Sequence, residues 1–251
     1  MFIGANEQQQ VDLSIIIPAH NEELYIGRCL DSIRKAAESF DGRIEVIVVL
    51  NRCTDQTKRI AESYNCVTLT EDSKNLSRIR NEGVRAARGE IIVTIDADSW
   101  MADNMLAEVG RLLKTGQYIG GGVGKIQFER VSFGIIMSAL VILLPLMLKY
   151  GNIAVGMFWC RKRDFEAIGG FNEEMLMTED AEFAKRLKQW GKKQRLQFGI
   201  IKQATLFTST RKFDKMGDWA IFKHPSIIKG YWTGGKNRHA ADIAYYENQQ
   251  R

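Results

Sequence analysis

Asp96-Ala97-Asp98 places two carboxylates at i and i+2, directly after the apolar run Ile91–Ile95. Two carboxylates in such a turn can converge on one divalent cation, which then neutralises a diphosphate. Hard oxygen donors favour Mg or Mn over Zn. The competing reading is a cap for the following helix, a role open also to Asp103. A second acidic cluster, Thr178-Glu179-Asp180, opens an amphipathic segment that runs to Trp190. Threonine and acids at a helix N-terminus cap it and oppose the macrodipole, so residue types alone leave a structural and a chemical role open.

Elements must carry these residues to one place. Residues 13–17 are an apolar run ending at Pro18, and Ile44–Leu50 is a second run; both read as buried strands. Between them, Ile26, Leu30 and Ile33 recur at helical spacing within residues 22–39. Thr54-Asp55-Gln56-Thr57 opens a helix near Ile60, a short strand surrounds Val67, and residues 75–88 read as a helix stopped by Gly89. Strands apolar on both faces and alternating with helices imply a parallel sheet covered on both sides. Ligands bind such sheets at the carboxyl ends of strands. His20-Asn21-Glu22, Asn51-Arg52-Cys53-Thr54-Asp55 and Asp96-Ala97-Asp98 all fall there.

The second half is less regular. Residues 118–128 read as one strand with a glycine-rich start, and 158–161 as another. Residues 179–190 form an amphipathic helix with Phe183, Leu187 and Trp190 on one face and Gly191 as its stop. Gly120-Gly121-Gly122-Val123-Gly124-Lys125 fails the P-loop template, because Ile119 and Ile126 stand where Gly and Ser or Thr are required. No G-x-G-x-x-G follows the first strand, which argues against a dinucleotide-binding enzyme. Those glycines instead suit a strand running close to another backbone.

With 251 residues, 45% hydrophobic, 26% charged and 3 prolines, the chain suits one large α/β core. The net charge of +5 is unevenly placed, with 14 Lys and Arg between Lys185 and Arg238 against Asp214 and Asp218 alone. That suits an anionic partner: nucleotide phosphates, nucleic acid or an anionic membrane. Four cysteines without a C-x-x-C pair, beside three histidines, make no zinc set and read as reduced cytosolic thiols. The first ten residues carry neither a basic region nor an apolar run, so no cleaved signal is expected.

Taken in order, these motifs resemble family 2 inverting glycosyltransferases. Pro18-Ala19-His20-Asn21-Glu22-Glu23 is similar to the family's P-x-Y-N-E-E opening, and residues 49–57 to its V-D-D-G-S-T-D-x-T segment. Arg80-Asn81-Glu82-Gly83, Gly89-Glu90 and Asp96-Ala97-Asp98 match its R-N-x-G, G-E and D-x-D run. Gly169-Gly170-Phe171-Asn172-Glu173, then Thr178-Glu179-Asp180, match the later G-G-F and E-D region. The likeness spans roughly residues 12–212.

The resemblance implies an α/β GT-A fold: a single Rossmann-like, mostly parallel sheet with helices on both faces and a helical C-terminal extension. It divides the chain into an N-terminal tail (1–11), a catalytic domain (12–212) and a basic extension (213–251). It implies transfer of a sugar from a nucleotide-diphosphate sugar, assisted by Mg or Mn. Pro18, His20, Glu22 and Asn51 would line the nucleoside pocket, Arg80 would face the diphosphate, and Asp96 and Asp98 would hold ribose and metal. Asp180 would be the general base, with Glu179 the next candidate. The residues Arg211 and Lys212 read either as an addition to the phosphate clamp or as a solvated pair.

Departures refine the expectation. His20 replaces the usual Tyr, and Asn51 puts an amide where an acid would meet a pyrimidine imide N–H. No Q-x-x-R-W motif is present, which favours transfer of a single sugar over processive synthesis. A sugar-1-phosphate nucleotidyltransferase would need a Gly-rich basic loop after the first strand, and a non-catalytic membrane-surface module would leave the acidic clusters unexplained. No nucleic-acid motif is recognised.

Residues 131–148 are uncharged and long enough to span a bilayer. One crossing would put Asp98 and Asp180 on opposite sides, so the segment is expected to lie on a membrane, pack on a second copy or join the core, with Pro145 suiting a break. The acceptor is then a sugar or a lipid, the assembly a monomer or homodimer, and the location cytoplasmic or peripheral at the inner membrane face.

Overall fold

The computed structural model describes residues 2–4, 7, 9–151, 155–233, 238 and 242. Its first half runs β1 (Leu13–Ala19), α1 (Ile26–Glu38), β2 (Ile44–Leu50), α2 (Thr57–Ser63), β3 (Val67–Thr70), α3 (Leu76–Ala86) and β4 (Ile91–Ile95). Next come β5 (Ser99–Met101), α4 (Met105–Lys114), β6 (Tyr118–Val123), β7 (Ile126–Phe128), α5 (Phe133–Tyr150) and β8 (Met157–Arg161). The remainder is α6 (Lys162–Ala167), α7 (Glu179–Lys193), β9 (Gln197–Ile201), β10 (Leu206–Thr208), α8 (Arg211–Met216), α9 (Ala220–Lys223) and α10 (Pro225–Thr233).

Every residue of β1 and β2 is buried, and both strands sit inside a seven-stranded sheet ordered β3-β2-β1-β4-β8-β6-β9. Side chains alternate across it, as the strand period of two requires. Ile15, Ile17, Val46 and Val48 join the core beneath α1 and α4, while Ile16, Ile47 and Val49 join the core shared with Phe171, Phe183 and Leu187. β8 runs antiparallel to both neighbours, and the other strand pairs are parallel. β1 pairs with β2 along its whole length but with β4 only over residues 13–16. Pro18, which has no N–H to donate, follows that last pairing, and the strands part where the polar loops begin.

Several expectations need correction. Residues 118–128 are two strands in different sheets: β6 stays in the central sheet, and β7 joins a three-stranded sheet ordered β5-β10-β7. Gly191 does not stop α7, which continues to Lys193. A Cβ there would lie 2.8 Å from Ile119 and 2.9 Å from the Leu196 carbonyl, so this glycine allows close packing inside the helix. Gly89 likewise sits past the end of α3 at Ala86, where a Cβ would meet the Ser14 nitrogen at 2.7 Å. Asn104 rather than Asp103 precedes α4, and it makes no side-chain cap. At the N-terminus, Phe2 and Ile3 are buried and the Ile3 N–H donates to the Ile44 carbonyl at 3.0 Å.

Pro145 does not break α5. A proline inside a helix leaves the carbonyl four residues earlier without its donor. Here that carbonyl, of Val141, accepts from the Trp232 indole N–H at 3.2 Å, so α10 supplies the missing bond. The Ser138 hydroxyl adds a tether, donating to the Asp218 carbonyl at 3.2 Å.

The glycine run of β6 has a packing role. Trp159 on β8 is fully buried, and its indole N–H donates to the Gly122 carbonyl at 3.3 Å. Gly121 and Gly199 form the slot for that ring, because a Cβ on either would collide with it. Gly199→Ala would place a methyl 2.7 Å from the indole. Urea denaturation of this variant should show a loss of about 1–3 kcal/mol with an unchanged slope; an unchanged midpoint would show that the slot has slack.

Candidate active site

β2, β1 and β4 lie side by side and parallel, so the loops after them meet at one sheet edge. His20 follows β1, and its Nδ1–H donates to the Asn51 carbonyl after β2 at 2.5 Å. Burial holds the His20 imidazole below its ordinary pKa and favours the neutral ring. Asn51 is buried, and its amide donates to the carbonyls of Glu71 and Ser73 at 2.5 and 2.8 Å. It therefore shapes the pocket from behind. Pro18 is buried at the edge where β1 and β4 separate.

Arg211, at the start of α8, closes this edge. Its Nη1 and Nη2 donate to the two carboxylate oxygens of Glu22, and its Nε donates to Asp98 at 3.1 Å. Asp98 also accepts from the Ser209 hydroxyl at 3.2 Å. One guanidinium thus ties the loop after β1 to the loop after β4, although its residue lies more than a hundred positions further on. The Lys212 side chain lies outside the described set.

The acidic turn before α7 reaches the same edge through Arg80. That arginine is buried on α3 and donates to Asp96 at 2.8 Å, Asp180 at 2.9 Å and Glu179 at 3.1 Å. Thr178 makes no side-chain cap; Glu179 and Asp180 stand in the first turn of α7, where acids oppose the macrodipole, and both also pair with Arg80. Thr178 is in the left-handed region at φ 63°, an uncommon conformation for a β-branched residue. Its buried hydroxyl has no partner among the described residues.

Three carboxylates around one guanidinium leave excess negative charge in a dry place. Burial, reinforced by Asp180 and opposed by Arg80, pushes the Glu179 carboxyl up to about 7. Burial also raises Asp180, with Arg80 opposing. Glu179 is 6% exposed and Asp180 17%, so Asp180 is the acid that a substrate can reach. The second Asp180 oxygen accepts from the Gly156 N–H at 3.2 Å.

Arg80, Asp96, Thr178, Glu179 and Asp180 form one end of an open cavity of about 980 Å³. Its other walls come from α5, including Ala139, Ile142, Leu143 and Leu146, and from Tyr231 of α10. The structure thus gathers Asp96, Arg80, Glu179 and Asp180 tightly, and Glu22, Asp98 and Arg211 in an adjoining cluster. Sequence reasoning assigned Arg80 to a phosphate and did not connect it to the acidic turn; its place in a helix whose buried face also carries Asn81 and Gly83 was the available signal. Gly156 and the walls from α5 carried no local signal.

Asp96 and Asp98 offer hard oxygens, but the described residues contain no group of three His, Cys, Asp or Glu able to hold a metal. Such a pair fits a Mg- or Mn-type cation that keeps waters and brings phosphate oxygens with it. The donor chemistry therefore fits a cation shared between these aspartates and a diphosphate.

Comparison with known proteins agrees with this geometry. The sequence profile described as glycosyl transferase family 2 matches residues 14–168, more than half of the chain. EpsH of Bacillus subtilis (strain 168), named as a glycosyltransferase, is 35% identical over 94 residues, 36% of this chain and 26% of that one. This chain thus spans about a quarter of that relative's length. TarS 1–349 of Staphylococcus aureus, solved in complex with UDP-GlcNAc, superposes at TM-score 0.61 with 18% identity, over 94% of this chain and 71% of that one. The mannosyltransferase PcManGT of Pyrobaculum calidifontis, with GDP-Man and Mn²⁺, gives 0.62 and 19% over 96% and 70%. At such identity the likeness establishes the fold, the GT-A arrangement.

Removing Arg80 would strand three carboxylates. Arg80→Met should lower stability by about 3–5 kcal/mol above pH 8. The deficit should shrink toward pH 5, because the raised carboxyls of Glu179 and Asp180 then take up protons and shed their charge. Urea titrations at several pH values measure this, and a pH-independent deficit would contradict the charge account.

Proposed function

The chain belongs to glycosyl transferase family 2, and from that premise we propose that it moves a single sugar from a nucleotide-diphosphate sugar to an acceptor hydroxyl, with inversion. The observation that carries this reading is the bridge through Arg80. It holds Asp96, on the strand edge suited to the donor, and Asp180, at the start of α7, on one guanidinium. In this reading the donor and acceptor ends of a displacement share one cavity.

In this reading the nucleoside lies against Pro18, His20 and Glu22, with Asn51 holding the loop behind it. Arg211 exchanges part of its contact with Glu22 and Asp98 for the diphosphate, and the positive field of Arg80 stabilises the charge that develops there. Mg or Mn bound with Asp96 and Asp98 would supply Lewis-acid neutralisation of the leaving diphosphate. Asp180 accepts the proton of the acceptor hydroxyl, its carboxylate oriented by Arg80 at one oxygen and by the Gly156 N–H at the other. As the new carbon–oxygen bond forms on one face of the sugar, the bond to the diphosphate breaks on the other. Inversion follows from that opposed geometry. A carboxyl raised above its ordinary value is a stronger base once ionised. The relatives with UDP-GlcNAc and with GDP-Man and Mn²⁺ support this donor class and a divalent cation.

The enzyme works on the cytoplasmic face of a membrane. Phe133, Ile136, Leu140, Leu144 and Leu148 form an exposed apolar stripe along α5, and Phe222 and Trp232 extend it. Aromatic and aliphatic side chains on one face, beside a basic C-terminal region, suit an interfacial surface with anionic headgroups. The four free thiols suit a reducing compartment.

Two experiments test these statements. Asp180→Asn keeps the shape but removes the base, so nucleotide-diphosphate release on sugar transfer should fall about 10²–10⁴-fold with donor binding retained. Near-normal transfer would move the base elsewhere. Wild-type protein should co-sediment with anionic vesicles, and Leu144→Glu with Leu148→Glu should abolish it; a dimer indifferent to vesicles would assign the stripe to a second copy.

A further inference from the structure

α5 has two apolar faces, and they look in different directions. Phe133, Ile136, Leu140, Leu144 and Leu148 are exposed on the outer one. Ala139, Ile142, Leu143 and Leu146, at spacings of three, one and three, line the cavity that holds Asp180. A helix that is apolar all round belongs in an apolar medium on both sides. α5 also hides its one weak backbone point, since the Val141 carbonyl freed by Pro145 is taken by Trp232.

The wall facing the base is therefore aliphatic, while the cavity floor is polar. That floor is made by Arg80, Asp96 and Asp180, charged groups that a hydroxyl-bearing head can meet. The volume, about 980 Å³, is at the upper end of ligand clefts, about 300–1,000 Å³. Polar floor, aliphatic wall and size together describe an amphiphile.

Resting on the glycosyltransferase reading, we propose that the acceptor is a membrane amphiphile, whose hydroxyl-bearing head meets Asp180 and whose hydrocarbon tail lies along the inner face of α5. The outer face of the same helix rests on the lipid surface, so the tail passes from bilayer to cavity around one helix without entering water. A wholly polar acceptor would leave Ile142, Leu143 and Leu146 wetted.

The test uses methyl, hexyl and octyl glucoside below their aggregation concentrations, with binding to the wild-type chain read by calorimetry. Affinity should rise about three- to fourfold per methylene while the tail stays inside the cavity. Leu143→Gln should weaken octyl glucoside about tenfold or more and leave methyl glucoside unchanged. Equal affinity along the wild-type series overturns the proposal without recourse to any variant, and so does an equal loss for both glucosides in Leu143→Gln. Nucleotide-diphosphate binding, measured on the same samples, reports separately on the transferase reading. Its absence overturns that reading, whereas a flat chain-length series with nucleotide binding intact overturns only this one.

Discussion

A guanidinium buried among three carboxylates is the interaction on which the rest of the site depends. Arg80 stays charged because Asp180, Asp96 and Glu179 surround it and outweigh its loss of water. Glu179 and Asp180 in turn need Arg80, since an unpaired carboxylate in so buried a place would take up a proton or unfold its surroundings. The arrangement is a mutual constraint: α3, the loop after β4 and the start of α7 cannot shift independently. Glu179, the most buried of the three acids, absorbs the excess negative charge by holding its proton up to about pH 7. Asp180 is more exposed than Glu179 and shares the same guanidinium.

A second constraint works by the same exchange between distant parts of the chain. Pro145 would weaken α5, yet Trp232 donates to the carbonyl that the proline leaves open. The helix can then remain continuous while presenting apolar side chains both outward and into the cavity. Its position in the chain, between the loop after β4 and the acidic turn before α7, makes it a wall of the active site rather than an appendage. Arg211 performs a comparable task at the adjoining edge, where one side chain from α8 joins Glu22 to Asp98.

Strain and close packing are concentrated where this geometry needs them. Thr178 adopts a left-handed conformation at the corner that turns Glu179 and Asp180 toward Arg80. Gly121 and Gly199 give up side chains so that Trp159 can lie within the sheet, close to β6 and β9. A rigid floor of this kind lets short loops hold polar groups at fixed separations.

Apolar periodicity determined β1, β2 and β4, because runs such as Ile44–Leu50 have no polar face and must be buried on both sides. The parallel order of those strands then put His20, Asn51 and Asp96 at one edge, so half of the candidate site was readable from residue order alone. Glycine was less legible. Gly191 and Gly89 look like helix stops, but their role is set by what packs against them, Ile119 and Ser14. The split of residues 118–128 between two sheets and the strand β10 depend on pairings with residues far along the chain. The same holds for Arg80 with Asp180, Trp232 with Val141, and α5 with the cavity. A sequence encodes which face of an element is apolar and which residues carry charge; it does not encode which distant face or charge will meet it. That is decided when the whole chain closes, because the partner is selected by burial and charge balance in the finished core.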